Sequence, residues 1–421
     1  MPLTASSHVP AGAALSRSRI GAAALVLVVL ALAAAPFLVV DATLGVLSKA
    51  LIAALFALAF NLLAGQAGML SFGHAAYFAI GAFAAVHAMV AVDRGVLWLP
   101  TPLIPLAGAL AGGLAGAVFG FFATMRSGVY FSMVTLAIAE LLYTLAPNLQ
   151  GFFGGETGIS SFRQPFALWN FGSEQHVYTL VLIWTVVSAG LLWAYTRSLF
   201  GRLTIALREN EKRLPALGYN VHATKILVFA VSGLFSGVAG ALLAVSNESA
   251  NYVLFQLSMS SSVVLTTFIG GSTLFLGPAI GGFLMSLFGH VVSDLTRSWL
   301  LYQGLIFIVV MLKAPNGIAQ WSLDWVDAIG RDGWRAAGRL VLQLLTLALA
   351  AFGLVLLCEL CATVFARDYA AEVERTGVWP AISVFNRAWL PTSPTTWLMP
   401  LLLVGAAALV HWSTRRLKVR A

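Results

Sequence analysis

Residues 62–83 read LLAGQAGMLSFGHAAYFAIGAF, and this stretch decides the fold class. It lies within a longer apolar run, yet the quartet Gly65–Gly68 breaks that run, and His74 follows the break. A second interrupted stretch carries Gly270-Gly271-Ser272 and Gly277-Pro278. When Gly or Pro interrupts hydrophobic segments at matching positions in the two halves of a chain, the pattern indicates broken membrane helices beside a transport pathway. The local similarity between the two stretches is faint, so an internal repeat stays open.

The composition around these stretches is that of a membrane protein. Of the 421 residues, 60% are hydrophobic and 10% are charged, whereas a soluble domain has about 25% charged residues. A mean hydropathy of +0.90 leaves too little polar surface to cover a soluble globule. One membrane span takes about 20 apolar residues. We predict twelve spans, at about 20–40, 47–64, 68–91, 101–124, 128–147, 177–196, 223–246, 258–271, 277–293, 299–313, 338–365 and 397–413. A cleaved signal peptide is the alternative for the first.

The net charge of +8 does not indicate nucleic acid, because no block of Lys and Arg of the nucleic-acid-binding type is present. The distribution of the basic residues instead predicts topology, since cytoplasmic loops hold the excess of Lys and Arg. With both termini inside, 17 of the 24 Lys and Arg residues lie on the cytoplasmic side. We therefore expect a multi-pass protein in the lipid bilayer whose N- and C-termini are cytoplasmic.

Two polar loops are long. The external loop, about 148–176, has a cluster of glycines that is typical of tight turns. The internal loop, 197–222, has a helix-forming composition over 203–213, and Pro215 and Gly218 end that run. Its apolar and charged residues fall on different faces, which predicts a short amphipathic helix that lies on the membrane surface or docks on a protein.

No pattern indicates an enzyme or a cofactor. The chain lacks a zinc-protease motif, a nucleophile elbow and a phosphate-binding Gly-Lys-Ser/Thr loop. Cys358 and Cys361 lie inside an apolar run and are too few for a structural metal site. We expect no catalytic residue, no metal and no cofactor, so any ATP that powers this protein is bound by another chain.

Charged groups inside apolar runs are costly and therefore are candidates for function. Glu140 is the clearest, with a place on a transport path and a structural hydrogen bond between helices as alternatives, and Glu359 is the second. His74 beside the break either lines a path or satisfies a backbone group that the break frees, and the second reading is favoured. The residues that we take as the candidate translocation path are Asn61, Ser71, His74, Thr135 and Glu140.

Seven ordered segments resemble the signature segments of permease subunits of branched-chain amino acid ABC importers, and the chain is similar to the longer of the two permease types. The segments are 62–83, 127–142, 154–159, 201–220, 229–242, 269–282 and 313–318. The resemblance implies an all-α polytopic membrane protein. Its expected parts are a cytoplasmic N-terminal segment (1–19), a ten-helix ABC importer permease core with broken helices (20–321), and a C-terminal extension (322–421) with two extra transmembrane helices.

The resemblance also implies a function and partners. A permease of this type takes up branched-chain amino acids across the bacterial inner membrane. It works with a second permease subunit, two cytoplasmic ATP-binding subunits and a periplasmic substrate-binding protein, and ATP hydrolysis lies on the partner chains. The alternatives are a permease for urea, a short amide or another amino acid, and an ion-coupled secondary carrier. The scarcity of intramembrane charge disfavours the carrier.

Two sets of site residues follow from the resemblance. The internal loop becomes a segment that couples the permease to an ATPase, with the matching residues Gly201, Arg208, Glu209, Asn210, Glu211, Leu217 and Gly218. The external loop becomes a gate or a contact for the binding protein, with the matching residues Gly154, Gly155, Glu156, Thr157 and Gly158.

The chain departs from the family pattern in three places. Phe153 stands where a threonine usually precedes the external Gly-Gly pair, and the acidic residue is Glu156 rather than the next residue. Pro215 replaces a helix former. Members of the family usually end soon after the motif that Pro315 and Gly317 match, whereas this chain continues for about 100 residues. The extension either packs against the partner permease or enlarges the fold.

Overall fold

The computed structural model describes residues 11–166, 169–294, 296, 298–384 and 387–419, so the first ten residues of the expected N-terminal segment lie outside the described part. The described residues are almost entirely helical. In chain order the elements are α1 (Ala11–Leu38), α2 (Asp41–Asn61), α3 (His74–Asp93), α4 (Ile104–Ala123), α5 (Val129–Leu145), α6 (Gln150–Phe153), β1 (Ile159–Ser160), α7 (Glu174–Arg197), α8 (Leu199–Asn210), α9 (Val221–Asn247), β2 (Ser249–Ala250), α10 (Leu257–Gly270), α11 (Gly277–Ser293), α12 (Trp299–Lys313), α13 (Gly317–Asp332), α14 (Trp334–Val364), α15 (Arg367–Thr376), β3 (Ile382–Val384), β4 (Arg387–Trp389) and α16 (Pro394–Val419).

Seven helices in the described part are long and apolar enough to cross a membrane, and the pair α12 and α13, bent by 46°, brings the number to eight. Four shorter apolar helical stretches accompany them: Leu25–Leu38, Leu257–Gly270, Gly277–Ser293 and Pro394–Val410. The chain is therefore an all-helical, multi-pass protein, as the composition predicted. The four shorter stretches are too short to be counted as spans on length alone, so the twelve spans remain a prediction.

Helices α3, α4 and α9 pack so closely that glycine is required where they cross. A Cβ atom on Gly237 of α9 would lie 3.0 Å from Cα of Gly112 and closer still to the carbonyl group of Gly108, both on α4. Gly81 of α3 meets the same backbone of Gly237. Small residues allow this approach of helix backbones, which is how membrane helices associate where lipid supplies no hydrophobic driving force. The three helices form a closely packed centre beside which the first interrupted segment lies.

The chain divides into two compact units by its contacts. One contains the described residues up to 294 together with 306–320, and the other contains residues of 295–305 together with the described residues from 321 onward. In the second unit α14 packs against α16, and Leu356, Leu360 and Ile382 form a small buried cluster. The strands β3 and β4 pair as an antiparallel hairpin.

Glu359 of the second unit has a structural role. Its carboxylate accepts a hydrogen bond of 2.5 Å from the Tyr302 hydroxyl and a second from the Thr296 hydroxyl. Cys358 and Cys361 beside it are free and half-buried. Two donors satisfy the charge that the sequence marked as a functional candidate, so this carboxylate ties α14 to the start of α12.

We predict that Gly237→Val prevents stable folding, because its methyl groups have no room between α4 and α9. Overpacking of this kind costs about 1–3 kcal/mol, and more where a backbone must move. The matched control is Gly190→Val in α7, where an added Cβ atom meets no atom within 4 Å. Size-exclusion profiles and melting temperatures in detergent measure the difference. Equal stability of the two variants would contradict the close packing.

Candidate functional site

The apolar run that begins with α2 is interrupted between residues 62 and 73, as its glycines predicted. After Asn61 the chain forms a π-helical turn over Leu62–Gln66 and then leaves helical geometry until α3 begins at His74. Gly68 has a φ angle of +71°, which only glycine adopts without strain. We call residues 62–73 the first break. Its backbone groups need partners, because a membrane interior offers no water to bind them.

Hydroxyl groups of neighbouring helices supply those partners. Thr135 of α5 accepts a hydrogen bond of 3.2 Å from the amide of Phe72, and Ser132 of the same helix donates one of 2.6 Å to the carbonyl of Leu70. Ser260 of α10 accepts a hydrogen bond of 3.0 Å from the amide of the second residue of α3. Thr135, a candidate path residue, therefore holds the first break in place.

His74 is fully buried at the start of α3. Its Nε2 lies 3.0 Å from the Ser232 hydroxyl, which donates its proton to the carbonyl of Ala59 at 2.6 Å. Since that proton is committed, Nε2 carries the imidazole hydrogen and donates it to Ser232. Four aromatic rings surround the imidazole: Phe56, Phe60, Tyr77 and Phe229. His74 thus reaches a backbone carbonyl through a serine, a variant of the structural role that the sequence favoured.

Two further candidates lie in the same region. The Ser71 hydroxyl accepts a hydrogen bond of 3.3 Å from the amide of Gly73. Asn61 is buried, and its Oδ1 has no hydrogen-bond partner within the described part of the chain. The structure therefore gathers Asn61, Ser71, His74 and Thr135 around the first break, where three of the four support backbone geometry.

Glu140 lies apart from that group. It is half-exposed on α5, and its carboxylate makes no hydrogen bond or ion pair with any residue that the structure describes. One turn further on the same helix, the ring of Tyr143 lies 5.6 Å from that of Tyr252, and its hydroxyl accepts a hydrogen bond of 3.3 Å from Gln256.

The second interruption separates α10 from α11, and it meets the first. Gly271 has a φ angle of +108° and lies against the backbone of Gly317. A Cβ atom on Gly65 in the first break would lie 3.1 Å from the carbonyl oxygen of Ser272 in the second. The two interruptions that the sequence placed 200 residues apart are thus neighbours in space, the arrangement expected of broken helices beside a pathway.

The internal loop contains the amphipathic helix that the sequence predicted, as α8. It begins at Leu199 rather than Leu203 because the Ser198 hydroxyl accepts a hydrogen bond of 3.3 Å from the amide of Gly201 and so caps the first turn. It ends at Asn210, whose side chain accepts from the amide of Lys212 at 3.1 Å. The buried face carries Gly201, Leu203, Thr204 and Leu207.

Residues on the outer side of this segment are exposed. Glu209 points away from the bundle, and Leu217 is 68% exposed just before Gly218, whose φ angle of +82° ends the segment. Leu199, Phe200 and Ile205 are exposed as well. Gly201 has the opposite environment, since a Cβ atom there would lie 2.6 Å from Cα of Thr196 at the end of α7. The segment therefore has one face against the helices and one face available to another molecule.

Arg208 of α8 reaches the first break. Its Nη1 donates a hydrogen bond to the carbonyl of Gly65. A Cβ atom on Gly68 would lie 3.1 Å from Cγ of Arg208. The resemblance assigns Arg208 to an ATPase contact. In the structure, its side chain also contacts the first break.

A buried lysine anchors the other end of the segment. Lys225 near the start of α9 contacts a carboxylate oxygen of Glu211 at 2.6 Å and the Ser127 hydroxyl at 2.8 Å, and its side chain is 6% exposed. The sequence missed this residue, because a lysine at the edge of an apolar run looks like an ordinary membrane boundary. In the sequence, the feature that could have pointed to Lys225 is Glu211, an acidic residue 14 positions earlier.

The external loop is attached to the end of α9. Strands β1 and β2 pair, with Ile159 opposite Ala250. Gly154, Gly155 and Gly158 have φ angles of +71°, +67° and +76°, so the glycine cluster is a turn. Glu156 and Thr157 between them are exposed, and the Thr157 hydroxyl donates to the carbonyl of Gly154 at 3.1 Å.

An arginine that the sequence did not mark holds the same loop. Arg163 forms an ion pair of 3.0 Å with Glu248, and its second contact, to Glu174 at the start of α7, is 3.8 Å. Glu248 itself has a φ angle of +55°, which is unusual for a residue with a side chain. This ion pair fixes the position of the external loop relative to α7 and α9.

Comparison with known proteins gives a consistent pattern. The family model described as "Branched-chain amino acid transport system / permease component" matches residues 42–315. The high-affinity branched-chain amino acid transport system permease protein LivM of Escherichia coli (strain K12) is 26% identical over 308 residues, covering 67% of this chain and 71% of that protein. The ribose import permease protein RbsC of Haemophilus influenzae is 26% identical over 243 residues, covering 56% of this chain and 73% of the relative. No solved structure matches.

We predict that Glu211→Gln loosens the end of the α8 segment, because it leaves the buried Lys225 ammonium without its counter-ion. A hydrogen bond to a charged group contributes about 1.5–3 kcal/mol. Trypsin should then cleave after Lys212 and Arg213 faster than in the unmodified protein. Glu209→Gln, which changes an exposed carboxylate two residues earlier, is the control. The anchor would be disproved by identical cleavage rates for the two variants.

Proposed function

The chain belongs to the family of branched-chain amino acid transport permeases, and from that premise we propose that it forms the pathway of an importer for branched-chain amino acids. It is a multi-pass membrane protein and a non-catalytic subunit of an ATP-binding-cassette transporter. The observation that carries the proposal is α8, an amphipathic helix with one face on the interrupted spans and one face exposed.

The proposed topology has both termini in the cytoplasm of a bacterial cell, with the chain in the inner membrane. Six of the seven long helices, α12 and three of the shorter stretches would form a ten-helix core within residues 20–321, and α13 continues from the end of that core into the extension. Helices α14 and α16 add two spans within the extension 322–421. The basic residues support this orientation.

The exposed face of the α8 segment is the proposed contact for a cytoplasmic ATP-binding subunit. It combines exposed apolar side chains, among them Phe200 and Leu217, with the exposed carboxylate of Glu209. Isolated apolar residues on a surface are ordinary, but a cluster beside charges marks a docking surface. Two such subunits, a second permease and a periplasmic substrate-binding protein complete the proposed complex, with Gly154–Gly158 as the external contact.

Glu140 is the proposed path residue that meets the cargo. Among the five candidates it alone combines a charge with exposure on the flank of a span, whereas Ser71, His74 and Thr135 support the first break. A charge in an apolar span is costly unless a partner or water meets it. The ammonium group of an amino acid is a matching partner.

A sugar importer is the second candidate, because ribose and xylose permeases are also among the relatives, the latter XylH of Escherichia coli (strain K12) at 25% identity over 48% of this chain. A sugar carries no ammonium group, so Glu140 would then have no charge to neutralise. Permeases for urea or a short amide are further alternatives in the same superfamily, and an ion-coupled carrier would need no ATPase at all.

The complex reconstituted in liposomes tests the proposal. With its ATP-binding subunits, second permease and binding protein, we expect ATP-dependent uptake of labelled leucine, isoleucine and valine. The chain reconstituted alone should give no uptake. ATP-dependent uptake of ribose or xylose in place of the amino acids would favour the sugar candidate. Uptake by the chain alone would contradict an ABC permease.

Glu140→Gln should lower the rate of amino acid uptake roughly tenfold, the usual effect of losing one hydrogen bond to a charged group. Assembly of the complex and its ATP hydrolysis without binding protein should stay unchanged. Thr144→Ala, one turn away, is the control, since the Thr144 hydroxyl bonds only within its own helix. Unchanged uptake in Glu140→Gln would remove Glu140 from the path.

A further inference from the structure

Several polar contacts attach the α8 segment to the rest of the protein within the described residues, and three of them involve the long helices or the first break. The Tyr195 hydroxyl of α7 lies 3.1 Å from that of Thr204, and Lys225 of α9 pairs with Glu211 at 2.6 Å. These two join the segment to continuous helices. The third, from Arg208 to the carbonyl of Gly65, joins it to the first break.

The carbonyl of Gly65 is available because of the π-helical turn. In a regular α-helix it would accept from the amide of Met69, four residues later. That amide instead donates to the carbonyl of Leu63 at 3.0 Å. The break therefore frees the Gly65 carbonyl near the C-terminal end of α2, where the helix dipole favours a cation. The guanidinium of Arg208 supplies both the hydrogen-bond donor and the positive charge.

The stem of Arg208, an exposed residue overall, also lies against the first break. The Cγ atom would lie 3.1 Å, and the Cβ atom 3.5 Å, from a Cβ atom added at Gly68. No side chain at position 68 would fit without displacing the arginine. Gly65 in turn approaches the carbonyl of Ser272 in the second interruption. A displacement of Arg208 therefore reaches both interrupted segments.

We propose that Arg208 is the positioning residue that transmits movement of α8 to the broken helices of the pathway, and that its bond to Gly65 persists through the transport cycle. This inference rests on the proposed function, because it assigns a mechanical role within ATP-driven transport. It differs from the ATPase contact implied by the resemblance. A docking arginine affects binding of the partner, whereas a transmitting arginine affects how much transport each hydrolysed ATP yields.

The first test compares Arg208→Met with Arg126→Met, an exposed arginine of the loop between α4 and α5. In the Arg208→Met complex we expect normal copurification of the ATP-binding subunits and continued ATP hydrolysis, but roughly tenfold less uptake per ATP, as loss of one charge-assisted hydrogen bond gives. Arg126→Met should remain coupled. Loss of copurification in Arg208→Met, or normal uptake, would overturn the proposal.

The second test replaces the bond by a covalent one. In a background with Cys358→Ala and Cys361→Ala, Gly68→Cys and Arg208→Cys bring together Cβ positions that are 3.5 Å apart, within the roughly 3.5–4.5 Å that a disulfide spans. We expect the reduced form to be uncoupled like Arg208→Met, and oxidation to restore uptake per ATP.

If Gly68→Cys alone stays coupled, equal uncoupling of the oxidised and reduced forms shows that α8 does not act through this joint. The unmodified complex is measured alongside the variants in both tests. If that complex lacks ATP-dependent uptake, the proposed function itself fails, so the two failures are distinguishable.

Discussion

The backbone groups freed where the helices break must be satisfied by the protein, and the rest of the structure depends on this constraint. Inside a membrane no water binds a free amide or carbonyl, and each unsatisfied group costs several kcal/mol. Ser132 and Thr135 of α5 meet backbone groups of the first break, Ser260 of α10 meets an amide in the first turn of α3, and Arg208 of α8 meets the Gly65 carbonyl. The break is thus an ordered segment whose supports lie on separate helices.

The supports differ in rigidity. Helices α3, α4 and α9 approach so closely at Gly81, Gly108 and Gly237 that no side chain fits between them. By contrast, α5 is the least buried long span of the core, and the outer face of α8 is exposed. A fixed centre beside elements with free faces suits alternating access, in which one group of helices moves against another around a pathway. The polar candidates Ser71, His74 and Thr135 bond to backbone groups or to a serine, whereas Glu140 on the flank of α5 has no partner among the described residues.

The helix break and the amphipathic helix could be predicted from local sequence patterns. Gly65–Gly68 predicted the first break, and the spacing of Leu203 and Leu207 predicted the amphipathic face of α8, because both features depend on neighbours in sequence. The hydrogen-bond partners of the polar side chains could not be predicted. Arg208 and Gly65 are 143 residues apart, and the donors to Glu359 lie 57 and 63 residues before it. Single-sequence periodicity contains no information on such pairs, so Glu359 looked functional and Lys225 looked like a membrane boundary. The ten-helix core, the orientation in the membrane and the partner subunits are proposals, because they depend on a membrane and on other chains.

The central claim is that Arg208 keeps α8 joined to the first break while the α8 segment, held to α9 at its other end by Glu211, changes position. Structures of the assembled transporter without nucleotide and trapped with ATP test it most directly. The account predicts that Nη1 of Arg208 stays within about 3.2 Å of the Gly65 carbonyl in both states, while residues 62–73 change position relative to α4 and α9. A structure in which the guanidinium leaves Gly65, or in which the break keeps its place while α8 moves, would contradict it.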